Sequence, residues 1–363
     1  MKILYFINAL GGGGAERVLS MLANAHSERN DDVYIATNLK IPIVYNLNNK
    51  IRLFDMYDGI PETENDIYDK IYRYIKKISN IRHIAKQVNP DVAISFLTEL
   101  NHDVIFSLIG TGIPLVCSEH TNVSHKLDLK TSLCRRLMYP FASAITVLTN
   151  RDLKIWKREY KNVVRMPNPC FCHKGETNAK RKKIVLAIGE VNRWEIKGFD
   201  TLLKAWGSVC PKHPDWELNI AGAYNTESYE YLNNIAIEYK CINYKFLGFR
   251  KDVAQLLKNA EVFVLSSRYE GLPMALIEAM DAGCCCISFD VVTGPSDIIQ
   301  NNKNGILVKD QNLVDLANSI DRVLSNNDER LLFSSMAPLG VQKFDIERIL
   351  DRWDILFKLI IKK

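Results

Sequence analysis

Two glutamates lie eight residues apart around a predicted helix start, in the segment SSRYEGLPMALIEA at residues 266–279. Glu270 follows a buried apolar strand, and Pro273 stands where a helix tolerates proline, at its first position. Helix amino ends offer backbone N–H groups and positive potential to phosphates. Glu278, within the next two turns, can accept hydrogen bonds from vicinal hydroxyls. This pattern predicts a site for a phosphate-bearing, hydroxyl-rich ligand; ordinary solvated glutamates on a surface helix are the alternative.

A glycine run at Gly11–Gly14 separates a predicted strand from a predicted helix. Glycine lets the backbone approach a ligand closely, although a simple tight turn is the alternative. The run is not a dinucleotide-binding fingerprint, because Glu16 occupies the place of the third glycine when the motif is counted from Gly11. A dehydrogenase is therefore disfavoured.

Short apolar runs alternate with helix-length segments along the whole chain, which indicates doubly wound parallel sheets of the α/β class. In the first half the predicted strands are Lys2–Asn8, Val33–Thr37, Asp91–Phe96, Pro114–Ser118 and Ala144–Leu148. In the second half they are Ile184–Ile188, Trp216–Ala221, Tyr244–Leu247, Val262–Leu265 and Cys285–Phe289. Two prolines bracket Asn168, and a polar stretch follows, so the domain boundary is expected there.

A length of 363 residues, with 47% hydrophobic and 25% charged residues, predicts two folded domains. We find no signal-peptide pattern and no apolar run long enough to span a membrane, so a cytoplasmic protein is expected. Three of the nine cysteines are consecutive, at 284–286, and Cys170 and Cys172 lack the spacing of a zinc or redox motif. Reduced, inert thiols are the better interpretation.

The net charge of +5 is unevenly distributed. Residues 70–86 carry six basic side chains and no acidic one, interleaved with isoleucine and tyrosine at helical spacing. A second basic cluster contains Lys126, Lys130, Arg135 and Arg136. Both could meet anionic lipid head groups or an anionic lipid-linked acceptor. The alternative is a solvated helix face packed on a core.

The region from Ile184 to Val308, and above all the two glutamates after Val262–Ser266, resembles the retaining glycosyltransferases of family 4, which adopt the GT-B fold. The resemblance implies two facing Rossmann-like domains. Residues 1–168 would form the acceptor domain and residues 169–343 the donor domain, with the last helix, 344–363, crossing back to the first. The segment Thr293–Ile299 is similar to members that build bacterial surface polysaccharides on lipid carriers.

The same resemblance implies roles for the donor-side residues. Glu278 would bind the donor ribose, and Glu270 with the Gly271–Leu272 backbone would lie against the sugar and the diphosphate. Lys197, before Gly198, matches a family lysine that holds the phosphates. The family's arginine position is occupied by Glu190, so Arg193 is the expected substitute. The chain has no D-x-D triplet, and neither a metal nor a cofactor is expected.

On the acceptor side, Gly12 and Gly13 belong to a loop similar to the family's G-G-x-E-R loop beside the diphosphate. His120, in SEHTN after a strand, resembles a family histidine near the sugar's C6 hydroxyl. A tight turn and a satisfied loop histidine are the respective alternatives.

The implied activity is retaining transfer of a hexose or N-acetylhexosamine from a nucleotide sugar, by family tendency UDP-linked, to a lipid-linked or lipopolysaccharide oligosaccharide. The partners would be the donor, the acceptor and the inner face of the cytoplasmic membrane, with no nucleic acid. Two alternatives stay open. A GT-B nucleotide-sugar 2-epimerase would act without an acceptor, and Glu190 at the arginine position could mark an inactive, binding-only paralogue in an assembly complex.

Overall fold

The computed structural model of this chain describes residues 1–61, 66–120, 128–172 and 181–361. These residues form two compact units, one from Met1–Pro169 with Ile346–Lys363 and the other from Cys170–Asp345. Each unit is built on one sheet of parallel strands with intervening helices. The predicted α/β class with two doubly wound sheets is therefore confirmed. The assignment of one unit to the acceptor and the other to the donor stays a prediction.

The first unit contains a seven-stranded parallel sheet. Its strands are β1 (Lys2–Phe6), β2 (Asp32–Thr37), β3 (Arg52–Asp55), β4 (Val92–Phe96), β5 (Leu115–Ser118), β6 (Ala144–Val147) and β7 (Val163–Arg165). Its helices up to that point are α1 (Gly14–Glu28), α2 (Ile67–Val88), α3 (Thr98–Leu108), α4 (Leu129–Met138) and α5 (Asn150–Trp156). The order β3-β2-β1-β4-β5-β6-β7 reverses between β1 and β4, where open α/β sheets bind ligands at the carboxyl ends of the strands.

The second unit contains a six-stranded parallel sheet. Its strands are β8 (Lys182–Ile188), β9 (Glu217–Ala221), β10 (Tyr244–Gly248), β11 (Ala260–Leu265), β12 (Cys285–Asp290) and β13 (Ile306–Lys309). Its helices are α6 (Trp194–Lys197), α7 (Phe199–Val209), α8 (Thr226–Glu238), α9 (Val253–Asn259), α10 (Met274–Asp281), α11 (Pro295–Ile298), α12 (Leu313–Ser325) and α13 (Asn327–Val341). The order β10-β9-β8-β11-β12-β13 reverses between β8 and β11.

Three strands were not predicted, namely β3, β7 and β13, and each is an edge strand of its sheet. Central strands such as β4 and β5 are buried at every position, because helices cover both faces of the sheet. By contrast, the first two residues of β3 are exposed, and β7 is three residues long. The continuous apolar run that reveals a central strand is therefore missing at β3 and β7.

Side-chain caps and prolines set several helix starts. The Asp66 carboxylate accepts a hydrogen bond from the Asp69 backbone N–H at 2.9 Å at the start of α2, and Thr149 caps α5 in the same way. Pro295 is the first residue of α11. Pro273 occupies the N-cap, so α10 begins one residue later than the sequence predicted.

The last helix, α14 (Ile346–Ile361), belongs to the first unit. It packs beside α1, where the Arg29 guanidinium bonds Asp351 and Asp354 at 2.9 and 3.0 Å. Trp353 and Phe357 are buried, and the Phe357 ring lies 5.8 Å from that of His26. The apolar stripe of the carboxyl-terminal segment thus completes the first unit's core.

All nine cysteines are free. Burial raises the pKa of the Cys284 thiol to about 11 and that of Cys285 to about 12, which keeps both protonated and unreactive. Within the described part of the chain, no helix is long and apolar enough to cross a membrane, and no group of three or more His, Cys, Asp or Glu could hold a metal ion.

Candidate functional site

An ion pair joins the carboxyl ends of β8 and β11, at the point where the second sheet's strand order reverses. Lys197 ends α6 in the loop after β8, and its Nζ donates to Oε1 of Glu270, in the loop after β11, at 2.9 Å. Their side chains are 23% and 11% exposed. The structure thus brings together two predicted residues that lie 73 positions apart. The pair thus keeps an oriented ammonium at the strand ends, where open α/β sheets bind ligands.

The backbone around Lys197 is locked against the β11 loop. Gly198 adopts a left-handed φ of 65°, and a Cβ there would lie 2.0 Å from the carbonyl oxygen of Ser266. The Ser266 hydroxyl in turn donates to the Lys197 carbonyl at 2.9 Å. A side chain at position 198 would separate the two loops, so glycine is required for the Lys197–Glu270 pair to form.

The Thr293–Gly294 segment holds the other side of the Glu270 loop. The Thr293 hydroxyl donates to the Glu270 carbonyl oxygen at 2.6 Å. Gly294 has a φ of 102°, and a Cβ there would lie 2.4 Å from the Gly271 carbonyl oxygen. This part of the Thr293–Ile299 motif therefore fixes the loop of Glu270 and Gly271 in place.

Helix α10 starts directly after that loop, with Leu272 buried and Gly271 partly exposed. Glu278 lies in the second turn of α10 and is partly buried. Hydrogen bonding to Cys172 and burial raise the pKa of the Cys170 thiol, and the charge of Glu278 adds to this effect. The roles of Gly271, Leu272 and Glu278 towards a ligand stay predictions.

Arg193 ends a short 3-10 turn, Val191–Arg193, between β8 and α6, and its side chain is exposed. Among the residues that the structure describes, no ion pair or side-chain hydrogen bond engages it. The following Trp194 stacks on Tyr231 with ring centroids 4.2 Å apart. Glu190, at the turn's N-cap, is also exposed. Arg193 as a phosphate ligand therefore stays a prediction.

A further arginine of this region was missed by the sequence analysis. Arg268 donates to both carboxylate oxygens of Asp200, at 2.9 and 2.7 Å, and its backbone N–H donates to the Ile196 carbonyl at 2.8 Å. Hydrogen bonding to Asp200 raises the pKa of Arg268. Its position two residues before Glu270 was the available signal. Because the Arg268 guanidinium is bonded to Asp200, Arg268 links the α6 loop to the β11 loop.

The glycine loop of the first unit is capped by its own helix. The Gly12 and Gly13 N–H groups donate to Oε2 of Glu16 at 2.6 and 3.1 Å, and Gly12 has a φ of 120°. A carboxylate thus fills the position that a ligand's anionic group would take at this helix start. Donor binding by Gly12 and Gly13 stays a prediction, and it requires that Glu16 move or that the ligand bind elsewhere on the loop.

His120 lies two residues after β5 in the first unit. Its Nε2 is 3.1 Å from the Ser118 hydroxyl, and its ring stacks on Phe96 with centroids 4.8 Å apart. Burial lowers the pKa of His120 to about 4, so the imidazole is neutral near pH 7. The structure therefore gives a neutral histidine at the carboxyl ends of β4 and β5. Its contact with a substrate stays a prediction.

Next to His120, the buried carboxylate of Glu119 was not anticipated from the sequence. It accepts hydrogen bonds from the Thr98 hydroxyl at 2.6 Å, from the Asn101 amide at 2.8 Å and from the Tyr139 hydroxyl. Its own backbone N–H donates to the Thr146 carbonyl at 2.9 Å. This network ties the end of β5 to α3 and β6, so the backbone that carries His120 is held from several sides.

Two family models match the chain. Residues 12–169 match the model described as Glycosyltransferase Family 4, and residues 172–338 match Glycosyl transferases group 1. The first match covers Gly12, Gly13 and His120, and the second covers Lys197, Glu270 and Glu278.

The chain is also similar over its length to a curated protein of Campylobacter jejuni. That protein is a GalNAc-α-(1->4)-GalNAc-α-(1->3)-diNAcBac-PP-undecaprenol α-1,4-N-acetyl-D-galactosaminyltransferase. The two are 30% identical over 361 residues, which cover 97% of each chain.

Solved structures with the same fold include the apo form of the lipopolysaccharide outer core galactosyltransferase WaaB, with a TM-score of 0.78, 20% identity and 99% of each chain covered. Another is HepE of Anabaena in complex with UDP, with a TM-score of 0.77, 16% identity and 99% and 100% covered. At these identities the likeness concerns the two-sheet GT-B fold, which confirms the predicted fold class.

Proposed function

Because this chain belongs to the family 4 glycosyltransferases with the GT-B fold, of the type that builds bacterial polysaccharides, we propose that it is a retaining, metal-independent hexosyltransferase. It moves a hexose or N-acetylhexosamine from a UDP-sugar to a lipid-linked or lipopolysaccharide oligosaccharide. In this proposal the first unit serves the acceptor and the second unit the donor. The activities of the Campylobacter jejuni relative and of WaaB support the acceptor class, and the UDP complex of HepE supports the nucleotide.

The observation that carries the proposal is the Lys197–Glu270 pair. A partly buried ammonium, 2.9 Å from its carboxylate, lies at the strand-order reversal of the second sheet and next to the start of α10. A departing nucleoside diphosphate gains negative charge as the glycosidic bond breaks, and a fixed cation stabilises that charge. Arg193 adds a second cation from the same loop.

The remaining predicted residues complete the proposed donor site. Glu270 positions the sugar, the Gly271–Leu272 backbone lies along it, and Glu278 accepts hydrogen bonds from the ribose hydroxyls. From the first unit, Gly12 and Gly13 flank the diphosphate and His120 lies near the sugar's C6 hydroxyl.

Retention follows from a front-face displacement in this proposal. The bond between the sugar C1 and the diphosphate oxygen breaks while the acceptor oxygen forms its bond to C1 on the same face. The proton of the acceptor hydroxyl passes to the departing phosphate oxygen. No protein nucleophile is needed, and Lys197 provides the main electrostatic stabilisation of the departing diphosphate.

Product analysis tests the proposal against its alternatives. The full-length protein is incubated with a UDP-sugar, with and without an undecaprenyl-diphosphate oligosaccharide, and the products are examined by NMR. Acceptor-dependent UDP release with an α-linkage from an α-donor supports retaining transfer, and a β-linkage contradicts retention. Sugar inversion at C2 or release without an acceptor would indicate the epimerase. If a donor binds, as shown by a thermal shift of the protein, but no donor is turned over, the binding-only paralogue is indicated. That alternative is suggested by Glu190 at the arginine position.

The proposed site of action is the inner face of the cytoplasmic membrane, and the structure changes which residues argue for it. Lys77 of the basic helix α2 is turned inward, because its Nζ bonds Asp103 of α3 at 3.1 Å and the two side chains are only 14% and 9% exposed. Arg82 donates to the Ser107 and Ile109 carbonyls at the end of α3. Lys126 lies outside the described residues, as does the side chain of Lys130. The basic helix is therefore partly structural.

The proposed membrane-binding surface is an apolar face on neighbouring helices. Helix α2 packs on α3, and α3 packs on α4. The apolar helical face comprises seven side chains that are 52% to 64% exposed, namely Ile71, Tyr72, Ile75, Phe106, Leu133, Leu137 and Phe141. Exposed basic residues, among them Lys70 and Arg136, accompany it. Apolar and aromatic side chains with nearby cations suit the interface of an anionic membrane.

Co-sedimentation with phosphatidylglycerol–phosphatidylethanolamine vesicles tests this part. The double variant Ile71→Ser, Leu133→Ser is compared with the matched control Ile237→Ser, Val314→Ser, whose parent side chains in the second unit are 64% and 65% exposed. We expect the first pair alone to weaken vesicle binding, by about tenfold for two exposed aliphatic side chains. Equal binding of both variants would contradict the membrane role without touching the transferase proposal.

A further inference from the structure

A chain of three polar side chains runs across the carboxyl ends of β5 and β6 to His120. Thr146, on β6, has its hydroxyl 3.0 Å from the Ser118 hydroxyl, and Ser118, the last residue of β5, has its hydroxyl 3.1 Å from Nε2 of His120. Thr146 and Ser118 are 1% and 3% exposed. Water is therefore a poor alternative partner for either hydroxyl.

The donor and acceptor in each of these two hydrogen bonds follow from the rule that every buried hydroxyl hydrogen needs an acceptor. Each hydroxyl has one hydrogen to donate, and a buried donor needs an acceptor. If Thr146 donates to Ser118 and Ser118 donates to Nε2, both hydroxyl hydrogens are used. In the opposite direction the hydrogen of Thr146 would find no acceptor among the described side chains. The favoured direction makes Nε2 the acceptor, and in a neutral imidazole the proton then resides on Nδ1.

The surroundings keep the ring neutral and in place. Phe96 stacks on it with ring planes 16° apart, and burial holds the pKa of His120 near 4. The Glu119 network fixes the preceding residue, and the Leu97 N–H donates to the Ser118 carbonyl at 3.1 Å from a strained backbone with a φ of 75°. A ring held this firmly has few alternative orientations.

We infer that Ser118 and Thr146 are positioning residues that hold His120 as the neutral Nδ1–H tautomer, so that it presents a hydrogen-bond donor to an oxygen of the sugar substrate. The tautomer itself is a property of the free protein. Only the contact with the sugar rests on the proposed function. In this arrangement Nδ1 cannot act as a general base, because it already carries the proton.

Nitrogen NMR of histidine-labelled full-length protein tests the tautomer without any substrate. The chain has seven histidines, so the His120 signals are identified by their loss in His120→Gln. We expect Nδ1 to show the shift of a protonated ring nitrogen and Nε2 that of an unprotonated one. Ser118→Ala removes the donor to Nε2 and should move His120 towards the Nε2–H tautomer, whereas Ser118→Thr should restore it. An Nε2–H signal in the wild type, or no change in Ser118→Ala, would overturn the inference.

The contact between His120 and the sugar is tested separately, by the kinetics of variants. An asparagine amide can replace an Nδ1–H donor, and a glutamine amide reaches the position of Nε2 instead. We therefore expect His120→Asn to retain several-fold more kcat/KM than His120→Gln, and Ser118→Ala to lose about three- to tenfold, the range of one neutral hydrogen bond. The reverse order of Asn and Gln would refute the donor role. A correct tautomer with no kinetic effect of any variant would leave Ser118 and Thr146 as fold residues and refute the substrate contact.

Discussion

The ammonium of Lys197 lies 2.9 Å from the carboxylate of Glu270, across the two loops where the strand order of the second sheet reverses. In the free protein this contact compensates the charge of Lys197 and keeps its side chain extended towards the strand ends. An arriving diphosphate would meet a cation that is already oriented, which is how a preorganised site avoids reorganisation during the reaction.

Replacing Lys197 by alanine should lower kcat by about 10²-fold, because it removes the fixed cation from the proposed leaving group. Steady-state rates of UDP release at saturating acceptor measure the effect. Lys183→Ala is a matched control, since Lys183 forms a more exposed ion pair with Asp215 in the same unit. Full activity of Lys197→Ala would discard the phosphate-site assignment.

Replacing Glu278 by alanine should raise the KM for the donor, with a smaller effect on kcat, because ribose contacts are made equally in the ground state and the transition state. For one charge-assisted hydrogen bond the increase should be about 10- to 100-fold. The exposed Glu238 of α8 provides the control Glu238→Ala. An unchanged donor KM in Glu278→Ala, measured over a full concentration series, would remove Glu278 from the donor site.

Gly198→Ala should destabilise the protein more than Gly110→Ala does. Both glycines are left-handed, with φ of 65° and 75°, so each substitution costs about 1–2 kcal/mol of backbone strain. A Cβ at position 198 also lies 2.0 Å from the Ser266 carbonyl, whereas one at position 110 has no neighbour within 4 Å. Urea denaturation followed by circular dichroism measures the difference, and equal midpoints for the two variants would contradict the packing argument.

The sequence predicted the central strands and the edge strand β10 but missed the other three edge strands, β3, β7 and β13. Strands such as β4 and β12 are buried along nearly their whole length, so their apolar runs are visible in the sequence. At an edge the burial is one-sided and the strands are short, and β3 and β7 carry no such run. Edge strands depend on a neighbour that the linear sequence does not show.

For the candidate site, residue types and spacing predicted Lys197 and Glu270, but not the contacts that hold their loops in place. The bond from Thr293 to the Glu270 carbonyl, and the Arg268–Asp200 pair, join residues that lie 23 and 68 positions apart. Such contacts arise from the close approach of neighbouring loops, which no local pattern encodes. The same holds for Lys77, which the sequence placed on a basic surface and the structure pairs with Asp103.

Lys77→Ala should therefore destabilise the first unit instead of weakening membrane binding specifically. It leaves the Asp103 carboxylate, 9% exposed, without its cation, at a cost of about 3–5 kcal/mol. Thermal denaturation of Lys77→Ala is compared with that of Lys86→Ala, an exposed lysine on the same helix. The double variant Lys77→Met, Asp103→Asn should recover much of the loss. A stable Lys77→Ala protein with reduced vesicle binding would restore the surface interpretation of this lysine.

The protonation of His120 predicts an acid-dependent loss of stability with a definite sign. Burial lowers its pKa to about 4 in the folded chain, whereas an unfolded histidine titrates near 6.5. Between these values the unfolded chain binds more protons, so the contribution of neutral His120 is present above about pH 6.5 and falls as the pH drops towards 4. The slope that one such group adds is at most about 1.4 kcal/mol per pH unit.

Urea denaturation from pH 7.5 to 4.5 should show this slope in the wild type but not in His120→Gln, while an NMR titration should give a His120 midpoint near pH 4. Parallel stability profiles, or a midpoint near 6.5, would show that the ring is solvated and charges freely, and the donor arrangement around Ser118 would then lose its basis.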